Sequence, residues 1–212
     1  MSHSFTFHEQ LYRTQELLLK LRETQVTVCG AGALGANLIE TLARIGFRKL
    51  RVIDFDRVEE RNLSSQPYYR SDIGAHKVKI LANSLFRALG IQLDSVADRL
   101  TSENARKLLQ GSQIVVDTFD NSLSRAAVKQ ACETYAMACL HAGMASDFAE
   151  ITWNERYRVP SATQDDVCEY PLARNLVMLT VAVTSETLIN FIENQQKHGF
   201  MITLRDLNVR QV

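Results

Sequence analysis

A glycine turn set between two apolar stretches constrains this chain more than any other feature. From Val26 to Asp54 the sequence reads VTVCGAGALGANLIETLARIGFRKLRVID. Val26 and Val28 are β-branched and run into Gly30-Ala31-Gly32-Ala33-Leu34-Gly35, a G-x-G-x-x-G where a mononucleotide-binding βαβ unit needs it. Gly30 permits the tight turn, Gly32 lets backbone approach phosphate, and Gly35 lets the new helix pack against the strand. The helix N-terminus then offers unpaired N–H groups and a partial positive charge to an anion. Leu34, Leu38, Leu42 and Ile45 recur at three- and four-residue spacing, so one helix face packs on a sheet. Gly46 ends the helix, and Leu50-Arg51-Val52-Ile53 forms the second strand. It ends in Asp54, nineteen residues past Gly35, where a carboxylate accepts hydrogen bonds from ribose hydroxyls. A glycine motif alone suits any tight turn that closes a helix onto a strand. The preceding strand, the following helix and the distal acid together point to nucleotide binding, without saying which nucleotide.

The rest of the chain sets bounds. Its 212 residues, 46% of them hydrophobic, bury one sizeable core and predict a single domain over 1-212. The expected fold is α/β, a Rossmann-like doubly wound sheet, mostly parallel, with antiparallel edge strands. Twenty-four basic residues balance twenty-four acidic ones, so there is no general attraction to nucleic acid or to an anionic membrane. The start, MSHSFTFHEQ, lacks the basic and apolar regions of a secretion signal, and no apolar run of the ~18 residues a membrane span needs is expected. A cytoplasmic protein is the expectation. Cys29, Cys132, Cys139 and Cys168 show no paired spacing and read as reduced thiols, and the lack of Cys-x-x-Cys argues against a zinc ribbon.

Taken in order, residues 8 to 23 predict an amphipathic helix within an N-terminal extension, 1-24. Its Tyr12-Arg13-Thr14 reads as a solvated face, the alternative being a basic group supplied to a neighbouring subunit's site. Ile73, Val78, Leu81 and Leu85 mark a helix from about Gly74 to Leu89, which by position alone makes Lys77 a helix-surface lysine. Ile91 to Ala97 reads as a third strand, and Thr101 to Asn104 opens a short helix ending at Gly111. Gln113 to Asp117 is a buried strand. Asp120, at its carboxyl end, lies on the edge where open α/β sheets bind ligands; the competing role is an N-cap for a helix over 122–137, a task that suits Asn121 better. Ala138 to Gly143 is a fifth strand, in which His141 reads as a hydrogen-bonded core residue rather than a general base. Phe148 to Trp153 continues as a strand, 154–171 is one long loop, Leu172 to Phe191 is an apolar helix, and Phe200 to Leu207 closes as an antiparallel edge strand.

After Asp54 comes Phe55-Asp56, then Val58-Glu59-Glu60-Arg61-Asn62-Leu63, and later Gly74-Ala75-His76-Lys77 and Asp117-Thr118-Phe119-Asp120-Asn121. This succession of glycine turn, D-x-D, V-x-x-x-N-L, G-x-x-K and D-x-x-D-N resembles the ThiF/MoeB adenylyltransferases, relatives of ubiquitin-activating enzymes, from about Leu17 to the C-terminus. The resemblance implies an enzyme that uses ATP and magnesium to join AMP to the C-terminal carboxylate of a ubiquitin-like or sulfur-carrier protein ending in Gly-Gly. It implies nucleotide contacts from Gly30, Gly32, Gly35, Asp54, Asp56 and Asn62, a phosphate-binding ammonium at Lys77, and magnesium held by Asp120. Leu172, Leu176, Leu179, Val183 and Leu188, with Val177, Val181 and Ile189, give the long helix an apolar surface broader than one stripe, which must be covered: by a second copy, as the likeness implies, or by another helix of the same chain. The likeness also makes Cys168 the candidate nucleophile. For Cys168 the physics is divided: a helix N-terminus lowers a thiol's pKa, whereas Asp165, Asp166 and Glu169 oppose ionisation. Where many members begin a zinc site, Glu155-Arg156-Tyr157-Arg158 has no thiol, so no zinc is expected.

One position departs from the pattern. The family's N-L-x-R-Q is here Asn62-Leu63-Ser64-Ser65-Gln66, and a serine does not replace a forked cation; Arg61 and Arg70 are the nearest substitutes in sequence. Two rivals follow. One is a non-catalytic activating-enzyme-like subunit that binds a ubiquitin-like protein or a partner enzyme. The other is an NAD-dependent oxidoreductase, since Asp54 would serve that cofactor too; Asn62, Lys77 and Asp120 have no task in it.

Overall fold

The computed structural model describes residues 4–161 and 171–212. Two helices, α1 (Phe7–Tyr12) and α2 (Gln15–Glu23), precede β1 (Gln25–Cys29). The expected single helix over 8–23 breaks at Arg13-Thr14, because the Thr14 hydroxyl caps the second helix by accepting from the Leu17 N–H at 3.2 Å. Then come α3 (Ala33–Ile45), β2 (Lys49–Ile53), α4 (Lys77–Leu89), β3 (Asp94–Val96), α5 (Ala105–Leu108), β4 (Ile114–Asp117), α6 (Ser122–Thr134), β5 (Ala138–Ala145), β6 (Phe148–Trp153), α7 (Arg174–Asn194), β7 (Phe200–Thr203) and β8 (Asn208–Gln211).

The eight strands form one sheet in the order β3-β2-β1-β4-β5-β6-β7-β8. β1 to β5 pair in parallel and β5 to β8 antiparallel, as the mixed-sheet expectation had it. β7 is not the edge; the final hairpin adds β8 outside it. Successive strands lie to one side of β1 and then, from β4, to the other, so a crevice opens at the carboxyl ends of β1 and β4. One apolar cluster packs α2, α3, α4 and α7 on one face of the sheet, and a smaller one packs α5 and α6 on the other. Gly46 ends α3 with φ +134°, a conformation L side chains rarely adopt.

Helix α7 bears on two expectations. It is long and apolar enough to cross a membrane by length and composition, contrary to the sequence reading. It is also covered by its own chain: α3 and α2 lie against it on one side and β5, β6 and β7 on the other. Leu176, Thr180, Val181, Leu188 and Ile189 are at most 2% exposed. Its broad apolar surface therefore no longer argues for a second copy.

Candidate functional site

The crevice is built around the glycine turn. Gly30 has φ +102°, and its N–H donates to the Ile53 carbonyl at 2.9 Å, which closes the turn onto β2. A Cβ at Gly35 would overlap the carbonyl oxygen of Gly30 and lie 2.6 Å from Thr118 Oγ1, so α3 sits against the turn at the closest approach glycine allows. A Cβ at Gly32 would meet nothing within 4 Å. Gly32 is also the N-cap of α3 and brings no side-chain cap, so no cap side chain satisfies the first N–H groups of the helix.

Asp54 is 6% exposed, and its carboxylate is engaged by backbone. Oδ2 accepts from the Ala31 N–H at 2.6 Å and Oδ1 from the Asp56 N–H at 2.7 Å. It thus braces the glycine turn, with remaining lone pairs left for a ribose. Burial pushes its pKa up, against the pull of Lys77 and of the two N–H donors.

Lys77 is not on the helix surface. The helix expected from Gly74 starts three residues later, because Gly74 N–H donates to Val58 O and Val58 N–H to Ala75 O, each at 2.9 Å, tying 74–76 to the strand-like 57–58 segment. Lys77 becomes the first helical residue, 6% exposed, with Nζ donating to Asp56 Oδ2 at 3.0 Å. Asp56 is the more open partner, its side chain 46% exposed. The D-x-D pair therefore has divided tasks: Asp54 holds the turn and Asp56 holds the ammonium.

Asn62 sits in a 3-10 turn over Glu60–Ser64, 9% exposed, with Oδ1 accepting from the Glu59 N–H at 2.8 Å. Its Nδ2 has no hydrogen-bond partner among the described residues. Ser65 is 5% exposed, and its carbonyl accepts from Asn37 Nδ2 at 2.9 Å. The arginines near it in sequence are surface groups in ion pairs, Arg61 with Glu59 at 2.6 Å and Arg70 with Glu60 at 3.2 Å. Arg13 is neither a solvated residue nor a free donor. Its guanidinium grips both carboxylate oxygens of Glu186 on α7, at 3.1 and 2.8 Å, and its Nε donates to Glu9 at 2.7 Å.

On the β4 side, Asp120 is exposed just past the strand. Asn121, not Asp120, caps α6, accepting from the Ser124 N–H at 2.9 Å, which leaves the Asp120 carboxylate to the crevice edge. Among the described residues no group of three His, Cys, Asp or Glu side chains is placed to hold a metal. A lone carboxylate fits magnesium that arrives with nucleotide phosphates, since that ion keeps its waters and takes one or two protein oxygens. Cys168 lies outside the described residues. Cys29, Cys132 and Cys139 are unpaired and buried, and burial pushes the thiols of Cys29 and Cys139 up, the reverse of what a nucleophile needs. His141 is 1% exposed and hydrogen-bonded, as a core histidine should be.

Two residues of the site were not singled out from sequence. Tyr68 donates its hydroxyl to the Ala31 carbonyl at 2.8 Å, and Thr118 donates its own to the Cys29 carbonyl at 2.8 Å, so the turn is clamped from both sides. Thr118 sits in the D-x-x-D-N stretch, which was the available signal; for Tyr68 there was none. A cleft of about 650 Å³ lies beside this crevice, lined among others by Leu63, Gln66, Tyr68, Arg87 and Arg174. The N–H donors and the ammonium are at the glycine turn, which makes the crevice there the candidate site.

The ThiF family model matches residues 8–164, most of the chain. The chain belongs to the ThiF family. Among its relatives, a "Sulfur carrier protein adenylyltransferase" of Thermus thermophilus is 34% identical over 59% of this chain and 48% of its own length. A "SAMP-activating enzyme E1" of Haloferax volcanii is 33% identical over 58% of this chain and 46% of its own. The chain thus spans about half the length of these two curated relatives. A crystal structure of E. coli MccB with ATP superposes with a TM-score of 0.82 over 97% of this chain and 69% of that one; at 18% identity the likeness concerns the ThiF-like fold.

Proposed function

We propose that this chain is an ATP-dependent adenylyltransferase that activates the C-terminal carboxylate of a ubiquitin-like or sulfur-carrier protein ending in Gly-Gly. The observation that carries the reading is the convergence at one crevice of uncapped α3 N–H groups beside Gly32, the buried Lys77 ammonium and the open Asp120 carboxylate. In the reaction a carboxylate oxygen of the acceptor attacks the α-phosphorus of ATP. The bond from that phosphorus to the bridging oxygen breaks, and pyrophosphate leaves with the electron pair. The charge that develops lies on phosphate oxygens, where fixed donors stabilise it. The α3 N-terminus binds phosphate, Asp54 takes the ribose, and the Asn62 amide donates to a nearby oxygen. Lys77 exchanges Asp56 for the outer phosphates. Bound magnesium would be held by Asp120 and would draw charge from those same phosphates.

The second reading is a non-catalytic subunit. Ser65 favours it, because the neighbouring arginines are occupied in surface ion pairs. Titration calorimetry with magnesium-ATP and with NADH tests the nucleotide site: ATP is expected to bind and NADH not. ATP–pyrophosphate exchange with a sulfur-carrier protein ending in Gly-Gly then separates enzyme from subunit. Tight NADH binding without ATP binding would sink both readings.

A further inference from the structure

Beneath the turn that carries Asp120 lies a buried polar cluster to which the reaction above gives no task. Asp117 ends β4, His141 lies on β5, Arg125 on α6, and Asn154 and Tyr157 follow β6; none is more than 9% exposed. His141 Nδ1 is 2.8 Å from Asp117 Oδ2. The other ring nitrogen, Nε2, is 2.6 Å from Asn154 Oδ1. The amide of Asn154 is oriented by its far end, where Nδ2 faces the Lys129 carbonyl at 3.4 Å; turned over, it would set oxygen against oxygen. Both ring nitrogens therefore face acceptors. A neutral imidazole has one N–H and satisfies one of them, whereas an imidazolium satisfies both.

The surroundings suit that charge. Tyr157 stacks on the ring with centroids 3.7 Å apart and planes at 10°, presenting the negative face of its π-system. Arg125 donates to the Tyr157 hydroxyl at 2.8 Å and sits in the field of both Asp117 and Asp120. Cys139 Sγ, 3.4 Å from Nε2, is the remaining titratable group at the ring, and burial keeps it a neutral thiol. Arg125 thus stands against two carboxylates, which leaves room for a second cation. Asp117 uses its second oxygen to accept from the Phe119 N–H at 3.1 Å, and so fixes the turn leading to Asp120.

We propose that His141 is held as an imidazolium by acceptors on both ring nitrogens. Through Asp117 it positions the turn that carries Asp120, and through Asn154 and Tyr157 it positions the start of the loop after β6. It is a positioning residue, and the part that concerns Asp120 rests on the adenylation reading above.

Ring-nitrogen NMR of the full chain with labelled histidine tests the first part. At pH 7 the exchange-protected ring is expected to carry two N–H protons; one alone overturns the imidazolium. Asp117→Asn, which keeps the shape and removes the charge, is expected to take one of them away, and a ring that keeps both is not held by Asp117. For the second part, His141→Gln should weaken magnesium-ATP binding roughly 10-fold or more, as loss of an outer partner does at metal sites, while AMP binding stays within about a factor of two. Equal effects on both nucleotides, or none, overturn positioning. Should the wild type bind neither nucleotide, the adenylation reading falls, and the amide resonances of Phe119 and Asp120 decide: unmoved by His141→Gln, they refute the positioning role.

Discussion

Gly32 and Gly35 lie three residues apart in one turn, and their alanine variants are expected to fail in opposite ways. At Gly35 the added methyl would overlap the Gly30 carbonyl oxygen and stand 2.6 Å from Thr118 Oγ1 and 2.9 Å from the Gly30 carbonyl carbon. Two of these three are backbone, and that backbone is pinned by Gly30 N–H on Ile53 O and by Ala31 N–H on Asp54. It cannot yield cheaply. The cost is about 3 kcal/mol, the upper part of the range for overpacking. At roughly 2–4 °C per kcal/mol for a chain of this size, Gly35→Ala should melt ~10 °C lower. Gly32→Ala meets no atom within 4 Å, and its φ of −80° suits any residue. It should melt at or slightly above wild type, by up to ~1 kcal/mol from the unfolded chain. Nucleotide affinity should nevertheless fall, because the methyl stands where phosphate approaches backbone. Scanning calorimetry and ATP titration of both variants decide it. Full ATP affinity in Gly32→Ala, or an unchanged melting point in Gly35→Ala, would refute the division of tasks.

The remaining predictions are shorter. Lys77→Met should lower ATP–pyrophosphate exchange about 100-fold, as loss of one charged donor does, with a stability loss under ~1 kcal/mol because Asp56 is half solvated. Ser65→Arg should raise exchange, by as much as ~3 kcal/mol of transition-state stabilisation, although the buried site will cost some stability; no change would mean another cation already serves. Arg13→Ala should cost about 1 kcal/mol, discounted because Glu186 is 47% exposed, and leave ATP affinity alone in a dilution series; a large loss of affinity would instead assign Arg13 to a site. Cys168→Ala should leave exchange intact and abolish any thiol-sensitive adduct with the acceptor, which mass spectrometry reads; an adduct that persists makes the thiol a bystander.

Local chemistry was legible in the sequence. Gly46 as a helix stop, Asn121 as a cap and Gly35 as a packing glycine depend on neighbours a few residues away, and the structure has each in that place. The partners of Asp54 and Lys77 were not legible. They are fixed by a turn that closes only when Ala31 meets Asp54 and when Val58 pairs with Ala75. The grip of Arg13 on Glu186 spans 173 residues and leaves no pattern at either end. Strand β8 was missed because all four of its residues are exposed, so no alternation marks it. Apolar spacing told that α7 must be covered. It could not tell by what.

That last helix has a consequence for how the chain is made. Leu38, Ile39 and Leu42 of α3 share a cluster with Leu176 and Leu188 of α7, over a hundred residues further on. A chain emerging from the ribosome therefore completes the glycine turn and five parallel strands, with α2, α3 and α4 on one face, while the part of that face that α7 covers is still wet. Closing so long a span is entropically slow, and sticky surface stands open meanwhile. A ribosome paused before Arg174 would hold out a glycine-turn crevice already drawn but not yet braced, a nascent species for chaperones to shield until the final helix arrives and commits the fold.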